Sequence, residues 1–350
     1  MAKRELTIGN RIINDESDCF VIAEIGHNHQ GNLEKCKQLF KAAQECGVDA
    51  VKLQKRDNKR LYTKNLYEKP YENENSYGAT YGLHREALEF NLDQYKELKQ
   101  YTEEIGILFF ATAFDEPSVD FLEKIGVPAY KVASGDLTST PLLKYIAKTG
   151  KPVIVSTGGS SLEDVKRAYH TIMPLNQNLC FLQCTAAYPV EFEKLELKVI
   201  STYRESFPDI VIGLSDHDNG IAMAPVAFML GARVIEKHFT LNHAWKGTDH
   251  AFSLEPIGMR KLVRDLRRTK IALGDGVKKC YPEEMQPIIK MSKKAVAAKA
   301  LSAGHILQEA DIVFKSPGDG IKPYEIEKLL GKRTKKELQE DEPFDWNIIS

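Results

Sequence analysis

The sequence predicts an α/β protein in which a (β/α)8 barrel is followed by a small C-terminal β domain. Short β-branched or aromatic runs alternate with amphipathic segments eight times between residues 20 and 275. After residue 276 this pattern gives way to short β-like pieces separated by turns. Strand–helix alternation is typical of parallel strands joined by crossovers, and eight repeats over about 255 residues match a closed barrel.

The eight predicted strands are runs rich in Val, Ile and aromatic residues. They cover residues 20–25, 50–54, 107–112, 129–133, 152–156, 179–183, 210–214 and 233–238. Helical spacing lies between them, at 33–46, 93–105, 162–173 and 221–230. An open doubly wound sheet is the competing architecture, but its Gly-rich candidate junction at 156–159 lacks the dinucleotide fingerprint.

Domain boundaries follow from changes in this pattern. We expect a barrel domain over 1–280, a linker over 281–290 that contains Pro282 and Pro287, and a compact domain over 291–350. The segment 62–89, rich in Tyr, Asn and Gly, is too long for an ordinary βα loop. We expect it to form a lid or substrate loop over the catalytic face; a disordered insertion is the alternative, which its aromatic residues disfavour.

Composition excludes several classes of function. The 48 Lys and Arg residues nearly balance the 49 Asp and Glu residues, so no net field favours nucleic acid or a membrane surface. The six cysteines lack CxxC spacing, which argues against a disulfide framework or a zinc site. No apolar run approaches about 18 residues, and no apolar signal region follows the N-terminus. We therefore predict a reduced, soluble, cytoplasmic protein with no nucleic-acid or membrane partner.

Two histidines end neighbouring predicted strands at the carboxyl face. His217 closes Gly-Leu-Ser-Asp-His at 213–217, and His238 closes Val-Ile-Glu-Lys-His at 234–238. The carboxyl ends of barrel strands carry the active site, and imidazole is a common ligand of divalent metals. The matched positions predict a metal pair, whereas His84, His170 and His305 are interpreted as structural.

Two lysines stand inside otherwise apolar strands. Lys52 and Lys131 are expected to point into the top of the barrel, where a buried ammonium group needs an anion. Hydroxyl groups at neighbouring strand ends would complete a phosphate or carboxylate cradle: Thr112, Ser134 and Ser156. The alternatives are structural ion pairs with Glu24 or Asp136, and a Schiff-base lysine.

Several blocks that carry these residues occur in order along nearly the whole chain. They are Ala-Glu-Ile-Gly at 23–26, Val-Lys-Leu-Gln at 51–54, Tyr-Lys-Val-Ala-Ser-Gly at 130–135, Leu-Gln-Cys-Thr at 182–185, Ser-Asp-His at 215–217 and Glu-Lys-His-Phe-Thr at 236–240. Together they resemble the sialic acid synthases, which condense phosphoenolpyruvate with an N-acylmannosamine-type sugar. The resemblance implies a TIM barrel, a C-terminal antifreeze-like (SAF, β-clip) domain and a domain-swapped homodimer.

The resemblance also implies roles for individual residues. His217 and His238 would bind Mn²⁺, for which Mg²⁺ or Co²⁺ can substitute, and Glu24 would be the catalytic carboxylate. Phosphoenolpyruvate would be held by Lys52, Thr112, Lys131, Ser134 and Ser156, with Asn75 a weaker match. The sugar would be contacted by Gln54, Tyr188 and Asp249.

The form of the sugar is left open by conflicting features. Residues 76–82, 88–95 and 245–250 resemble the animal-type enzymes, which use a 6-phosphorylated sugar, whereas Ser-Asp-His at 215–217 resembles bacterial enzymes that take free sugar. Free-sugar members carry an arginine in the SAF domain, but this chain has Ser316 there, with Lys315 as a candidate substitute. The expected substrate is thus N-acetylmannosamine or its 6-phosphate, giving N-acetylneuraminate or its 9-phosphate. Synthesis of KDN-9-phosphate, legionaminate or pseudaminate is the alternative, and a carbohydrate-binding protein without catalysis is the alternative of another class.

Overall fold

A computed structural model describes residues 4–350, and the chain forms two compact units. The first ends at Leu273, and the second runs from Gly274 to Ser350. The first unit begins with an antiparallel hairpin of β1 (Glu5–Ile8) and β2 (Arg11–Asn14). Eight parallel strands then close into a barrel: β3 (Phe20–Gly26), β4 (Ala50–Lys55), β5 (Leu108–Ala113), β6 (Tyr130–Val132), β7 (Val153–Ser156), β8 (Leu179–Cys184), β9 (Val211–Asp216) and β10 (Val234–His238).

The closed barrel confirms the predicted fold class, since β10 pairs with both β9 and β3. The helices of this unit are α1 (Leu33–Glu45), α2 (Asn58–Leu61), α3 (Lys64–Tyr67), α4 (Tyr81–Glu86), α5 (Leu92–Glu104), α6 (Glu116–Ile125), α7 (Thr140–Ala147), α8 (Leu162–Ile172), α9 (Val199–Ser206), α10 (Met223–Met229) and α11 (Pro256–Leu273). Short 3-10 turns lie at Ser134–Asp136, Phe192–Lys194 and His250–Phe252.

Local sequence sets the ends of these helices. The side chain of Asn32 accepts a hydrogen bond from the Lys35 backbone and begins α1, while Asp115 caps α6 in the same way. Helix α6 ends at Gly126, whose φ of 72° is left-handed and therefore suits glycine. The helix ends set by these residues allow the chain to turn back into the next buried strand.

The register of the barrel places polar residues next to one another near the carboxyl ends of the strands. Glu24 on β3 lies opposite both His238 on β10 and Lys52 on β4. Thr112 on β5 lies opposite Lys131 on β6. Because side chains alternate between the two faces of a strand, matched positions on neighbouring strands face the same interior. Strand pairing therefore brings several polar side chains together above the apolar barrel core.

The segment 62–89 is ordered and packs on loops at the carboxyl face of the barrel. It contains α3 and α4, and Tyr81 makes edge-to-face contacts with Tyr62 and Tyr71. The hydroxyl of Tyr77 donates to the carbonyl of Lys246, in the loop after β10, at 2.6 Å. These contacts agree with the expected position over the catalytic face.

The second unit has its own small core. It contains α12 (Met285–Met291), β11 (Lys294–Ala297), β12 (Ile312–Lys315) and α13 (Ile326–Leu329), and 3-10 turns lie at Pro282–Glu284, Glu309–Asp311 and Pro323–Glu325. Strands β11 and β12 pair antiparallel, and Leu307, Leu338 and Phe344 are buried with them. The segment predicted as a linker, 281–290, holds the first of these turns and most of α12.

Candidate active site

A single small cavity at the carboxyl ends of the strands gathers most of the predicted site residues. Its walls include Glu24, Lys52, Gln54, Thr112, Lys131, Ser134, Ser156, Tyr188, His217 and His238. Five further residues, for which the sequence analysis predicted no role in the site, also line it: Phe114, Ala133, Cys184, Ser215 and Glu236. The cavity lies entirely within the first unit.

Lys52 forms the first cationic side of the cavity. Its Nζ lies 2.6 Å from Glu24 Oε2 and donates to Thr112 Oγ1 at 2.8 Å. Glu24 also accepts from Gln54 Nε2 at 2.7 Å. The ion pair with Glu24, considered above as a structural alternative, is thus present, but both partners lie in the cavity wall.

Lys131 forms the second cationic side. Its Nζ donates to Ser156 Oγ at 2.6 Å and to the Val132 carbonyl at 3.0 Å. The carboxylate of Glu236 is 3.7 Å away, and it also lies 3.9 Å from Lys52. Burial lowers the pKa of Lys131, because the charged ammonium group is shielded from water. A bound anion would stabilise that charge in place of the missing water.

The hydroxyl of Ser134 is held beside this cradle by a turn that requires glycine. Ser134 Oγ accepts from the backbone amide of Gly158 at 2.9 Å. A Cβ at Gly158 would lie 2.9 Å from that oxygen and 3.0 Å from Ala186. The close approach of the two loops after β6 and β7 therefore depends on the missing side chain at residue 158.

The two carboxyl groups of the cavity have opposed pKa shifts. Burial raises the pKa of Glu24, and the neighbouring Lys52 only partly offsets this effect. Burial would also raise the pKa of Glu236, but the charges of Lys131 and Lys52 bring it below its ordinary value. Two nearby carboxyl groups with separated pKa values can divide the roles of proton carrier and fixed charge.

The two predicted metal ligands face one another. The ring centroids of His217 and His238 are 5.4 Å apart, and His217 Nδ1 lies 3.0 Å from the Thr185 carbonyl. Since a carbonyl can only accept, Nδ1 of His217 carries the proton and Nε2 keeps its lone pair. Burial, and then His238, lowers the pKa of His217 to about 3, so the imidazole is neutral.

This pair fits a divalent metal as a partial ligand set. Burial lowers the pKa of His238 as well, and its buried Nδ1 has no hydrogen-bond partner. Neutral imidazoles are the ligand form, and an unpaired buried nitrogen is costly unless something binds it. Within residues 4–350 no group of three or more His, Cys, Asp or Glu side chains is arranged around a metal position. Oxygen atoms of substrate and water would have to supply the remaining ligands.

The remaining predicted sugar contacts border the histidines. The ring of Tyr188 lies 4.2 Å from that of His217, and Asp249 Oδ2 lies 3.8 Å from His238 Nδ1. Asn75 does not line the cavity; its side-chain oxygen accepts from the Gly247 amide at 2.9 Å and tethers the loop after β10. Lys315 belongs to the second unit, where it pairs with Asp341. Roles for Asn75 and Lys315 in substrate binding stay predictions.

Both compact units of the chain match known protein families. Residues 39–278 match the NeuB family, and residues 294–349 match the SAF domain. The chain belongs to the NeuB family. It is 43% identical to N-acetylneuraminate-9-phosphate synthase of Homo sapiens over 341 residues, which cover 97% of this chain and 95% of the human protein.

Other NeuB-like proteins match over similar lengths. The chain is 36% identical to N,N'-diacetyllegionaminic acid synthase of Campylobacter jejuni over 92% of its own length and 97% of that protein. The crystal structure of N-acetylneuraminic acid (sialic acid) synthetase from Leptospira borgpetersenii superposes with a TM-score of 0.71 at 30% identity. That superposition covers 82% of this chain and 95% of the other.

Glu236 is the main residue of this NeuB-family cavity that the motif reading did not assign. It lies two residues before His238 on β10, so side-chain alternation alone puts both on the same face. That signal was present in Glu-Lys-His at 236–238. The proximity of Glu236 to both lysines could not be predicted from the sequence. It arises only when the barrel closes, because neither lysine is on a strand that pairs with β10.

Alternation places Lys237 on the opposite face, where it ties the two histidine-bearing strands together. Its Nζ donates to Asp216 Oδ2 and to the Asp218 carbonyl, both at 2.8 Å, and it also pairs with the Asp218 carboxylate. Asp216 and Asp218 flank His217, and Lys237 precedes His238. This buried ion triad therefore fixes the backbone on both sides of the candidate metal ligands.

Proposed function

We propose that the protein condenses phosphoenolpyruvate with an N-acylmannosamine-type sugar, giving a nine-carbon 2-keto acid and inorganic phosphate. N-acetylmannosamine or its 6-phosphate as substrate would give N-acetylneuraminate or its 9-phosphate. The observation that carries the proposal is that two buried ammonium groups and two neutral imidazoles line one cavity. Membership of the NeuB family and the named synthases among its relatives support the same reaction.

The lysines and hydroxyl groups are suited to hold phosphoenolpyruvate. Lys52 with Thr112, and Lys131 with Ser156, provide two charged donors on adjacent strand pairs. Charge-assisted hydrogen bonds of this type would orient the phosphate and carboxylate groups. Fixing the enol in this way lowers the entropic cost of bringing its methylene carbon to the sugar aldehyde.

In the reaction, the methylene carbon forms a bond to the aldehyde carbon as the C=O π bond breaks. The aldehyde oxygen becomes an alkoxide, which takes up a proton, and a cation is left at C2 of the former enol. Water adds there, and phosphate then departs with cleavage of the C–O bond. Glu24 would stabilise that cation or carry the proton of the added water. His217 and His238 would hold a divalent metal, Mn²⁺ by preference, which when bound supplies Lewis acidity toward the sugar carbonyl.

Related sugars remain competing substrates. Legionaminic and pseudaminic acid synthases of Campylobacter jejuni match over nearly the whole chain, at 36% and 32% identity. Synthesis of KDN-9-phosphate, which lacks the acylamino group, is a further candidate. In this chain each of these reactions would use phosphoenolpyruvate in the same cradle, so the candidates would differ only at the sugar.

We further infer a homodimer whose SAF domain serves the partner's barrel, and a cytoplasmic location. Apolar side chains of the second unit that remain exposed in the single chain support an intermolecular contact: Val277, Ile288 and Met291. All six cysteines are free thiols, as suits a reducing compartment. No helix within residues 4–350 has the length and apolarity needed to cross a bilayer. A monomer mass by analytical ultracentrifugation, or recovery outside the cytosolic fraction, would contradict these inferences.

The test is phosphate release from phosphoenolpyruvate with a panel of sugars. The panel is N-acetylmannosamine, its 6-phosphate, mannose 6-phosphate and a 2,4-diacetamido-trideoxyhexose. We expect sugar-dependent release with one of them, loss of release on chelation, and recovery when Mn²⁺ is restored. Lys131→Met should raise the KM for phosphoenolpyruvate by about 10- to 100-fold, because a charged donor is lost.

Lys144→Met is the matched control, since Lys144 is exposed on α7 away from the cavity. It should leave the KM for phosphoenolpyruvate unchanged. No release with any sugar would refute the proposed reaction, and an unchanged KM in Lys131→Met would remove Lys131 from the cradle.

A further inference from the structure

Arg56 lies one hydrogen bond beyond the cavity wall, and Arg85 lies next to it on the other side of His27. Gln54, which bonds Glu24, accepts from Arg56 through its side-chain oxygen at 2.7 Å. Arg56 is buried, and its guanidinium carbon lies 3.7 Å from the ring centroid of Phe114, another cavity residue. Arg85 on α4 donates from Nε and a terminal nitrogen to the Tyr81 hydroxyl at 3.2 and 3.0 Å.

Both guanidinium groups converge on one imidazole. A terminal nitrogen of Arg56 lies 3.1 Å from His27 Nε2, and one of Arg85 lies 3.1 Å from His27 Nδ1. A neutral imidazole has one acceptor nitrogen and one N–H, so only one arginine can donate to it. Burial, followed by the charges of Arg56 and Arg85, lowers the pKa of His27, which keeps the ring neutral. In one of the two contacts, an arginine N–H therefore points at the N–H of the imidazole and cannot form a hydrogen bond with it.

In the described part of the chain, no protein carboxylate lies within ion-pair distance of either guanidinium group. Neither Arg56 nor Arg85 forms an ion pair there, and the nearby Glu89 is paired with Lys55 at 2.6 Å. Burial, and then the charge of Arg85, lowers the pKa of Arg56. Two guanidinium groups held together without a counter-ion, with one donor facing a donor, are arranged for an anion from outside.

We propose that Arg56 and Arg85 form an oxyanion subsite for a phosphomonoester group at the far end of the sugar substrate. The proposal rests on the function proposed above, because the subsite adjoins Gln54 on the side assigned to the sugar. Guanidinium groups are planar, permanently charged donors that recognise phosphate well. A bound phosphate would supply acceptors to the N–H groups that His27 cannot satisfy, and the chain would thereby select a sugar phosphate over the free sugar.

The experiment measures binding and turnover separately, for N-acetylmannosamine and its 6-phosphate. Calorimetry gives the Kd of each sugar, and phosphate release from phosphoenolpyruvate gives kcat/KM. The variants are Arg56→Gln, the half-buried and more tolerant Arg85→Gln, and the control Arg60→Gln, which changes an exposed arginine on α2. An unchanged KM for phosphoenolpyruvate shows that each variant is folded.

We expect each subsite variant to lose about 10- to 100-fold in affinity and kcat/KM for the sugar phosphate, and less than about threefold for the free sugar. Equal losses for both sugars, or affinity for the sugar phosphate like that of Arg60→Gln, would overturn the subsite. Arginine-dependent binding without turnover would retain the subsite and refute the proposed reaction. Turnover that does not depend on either arginine would support the proposed reaction and refute the subsite.

Discussion

The carboxyl group of Glu24 lies between the lysine that is proposed to hold phosphoenolpyruvate and the glutamine that is proposed to contact the sugar. It is bonded to Lys52 on one side and Gln54 on the other, and it is almost completely buried. Burial disfavours its charged form, whereas Lys52 favours it, and the net effect is a raised pKa. A carboxyl group whose pKa is raised in this way is suited to carry a proton during a turnover.

This leads to a prediction for the pH dependence of turnover. If the carboxylate of Glu24 stabilises the cation, kcat falls as the pH drops through its pKa, and because that pKa is raised the midpoint lies above the ordinary value of 4.5. Glu24→Gln should lower kcat by about 100- to 1,000-fold and abolish this acid limb. The check is a kcat profile between pH 4.5 and 8, with exposed Glu193→Gln as the control. The same acid limb in Glu24→Gln would contradict the assignment.

At the scale of single residues, polar side chains in apolar runs were the informative signal. Lys52 and Lys131 could be placed in the barrel interior from sequence, because a charged residue inside a buried strand needs a special environment. The pairing of Lys52 with Glu24, and the sharing of Glu236 between both lysines, could not be derived. Those contacts depend on strand register and on distances across the barrel, which no local pattern contains.

At the scale of elements, β9 and β10 position the histidine pair, since His217 directly follows β9 and His238 is the last residue of β10. Lys237 of β10 is buried with the carboxylates of Asp216 and Asp218, and it is the direct neighbour of His238. Loss of one member would leave buried charges uncompensated, which is a larger cost than loss of a surface ion pair.

We therefore predict that Lys237→Met destabilises the barrel by about 3–5 kcal/mol and weakens Mn²⁺ binding, although the ligands themselves are unchanged. Urea unfolding and a Mn²⁺ titration followed by electron paramagnetic resonance measure the two effects. The triple variant Lys237→Met, Asp216→Asn, Asp218→Asn removes the unpaired charges and should recover part of the stability. Wild-type Mn²⁺ affinity in folded Lys237→Met would show that the triad does not position the histidines.

The barrel strands were predictable as elements because they are short, continuous and apolar. Each observed strand overlaps its predicted run and differs at its ends by two residues at most. The hairpin of β1 and β2 was not predicted, since its strands have only four residues each and carry charged or polar side chains. The helices α3 and α4 within 62–89, and α2 just before them, are likewise too short to show helical periodicity.

At the scale of the whole molecule, the barrel and the SAF domain are separate compact units. The family and its architecture could be predicted because the matching blocks run along nearly the entire chain. The form of the sugar could not, because the motifs at 76–82 and 215–217 point to different members. The paired arginines favour a phosphorylated sugar on physical grounds that no motif supplied.

We propose that one cavity joins phosphoenolpyruvate to a sugar and releases phosphate by C–O cleavage. Phosphoenolpyruvate labelled with oxygen-18 at the bridging oxygen tests it directly, by mass spectrometry of both products. We expect one phosphate per keto acid, with the label in the phosphate and no release without sugar. Label retained in the organic product, or phosphate release that does not require the sugar, would contradict it.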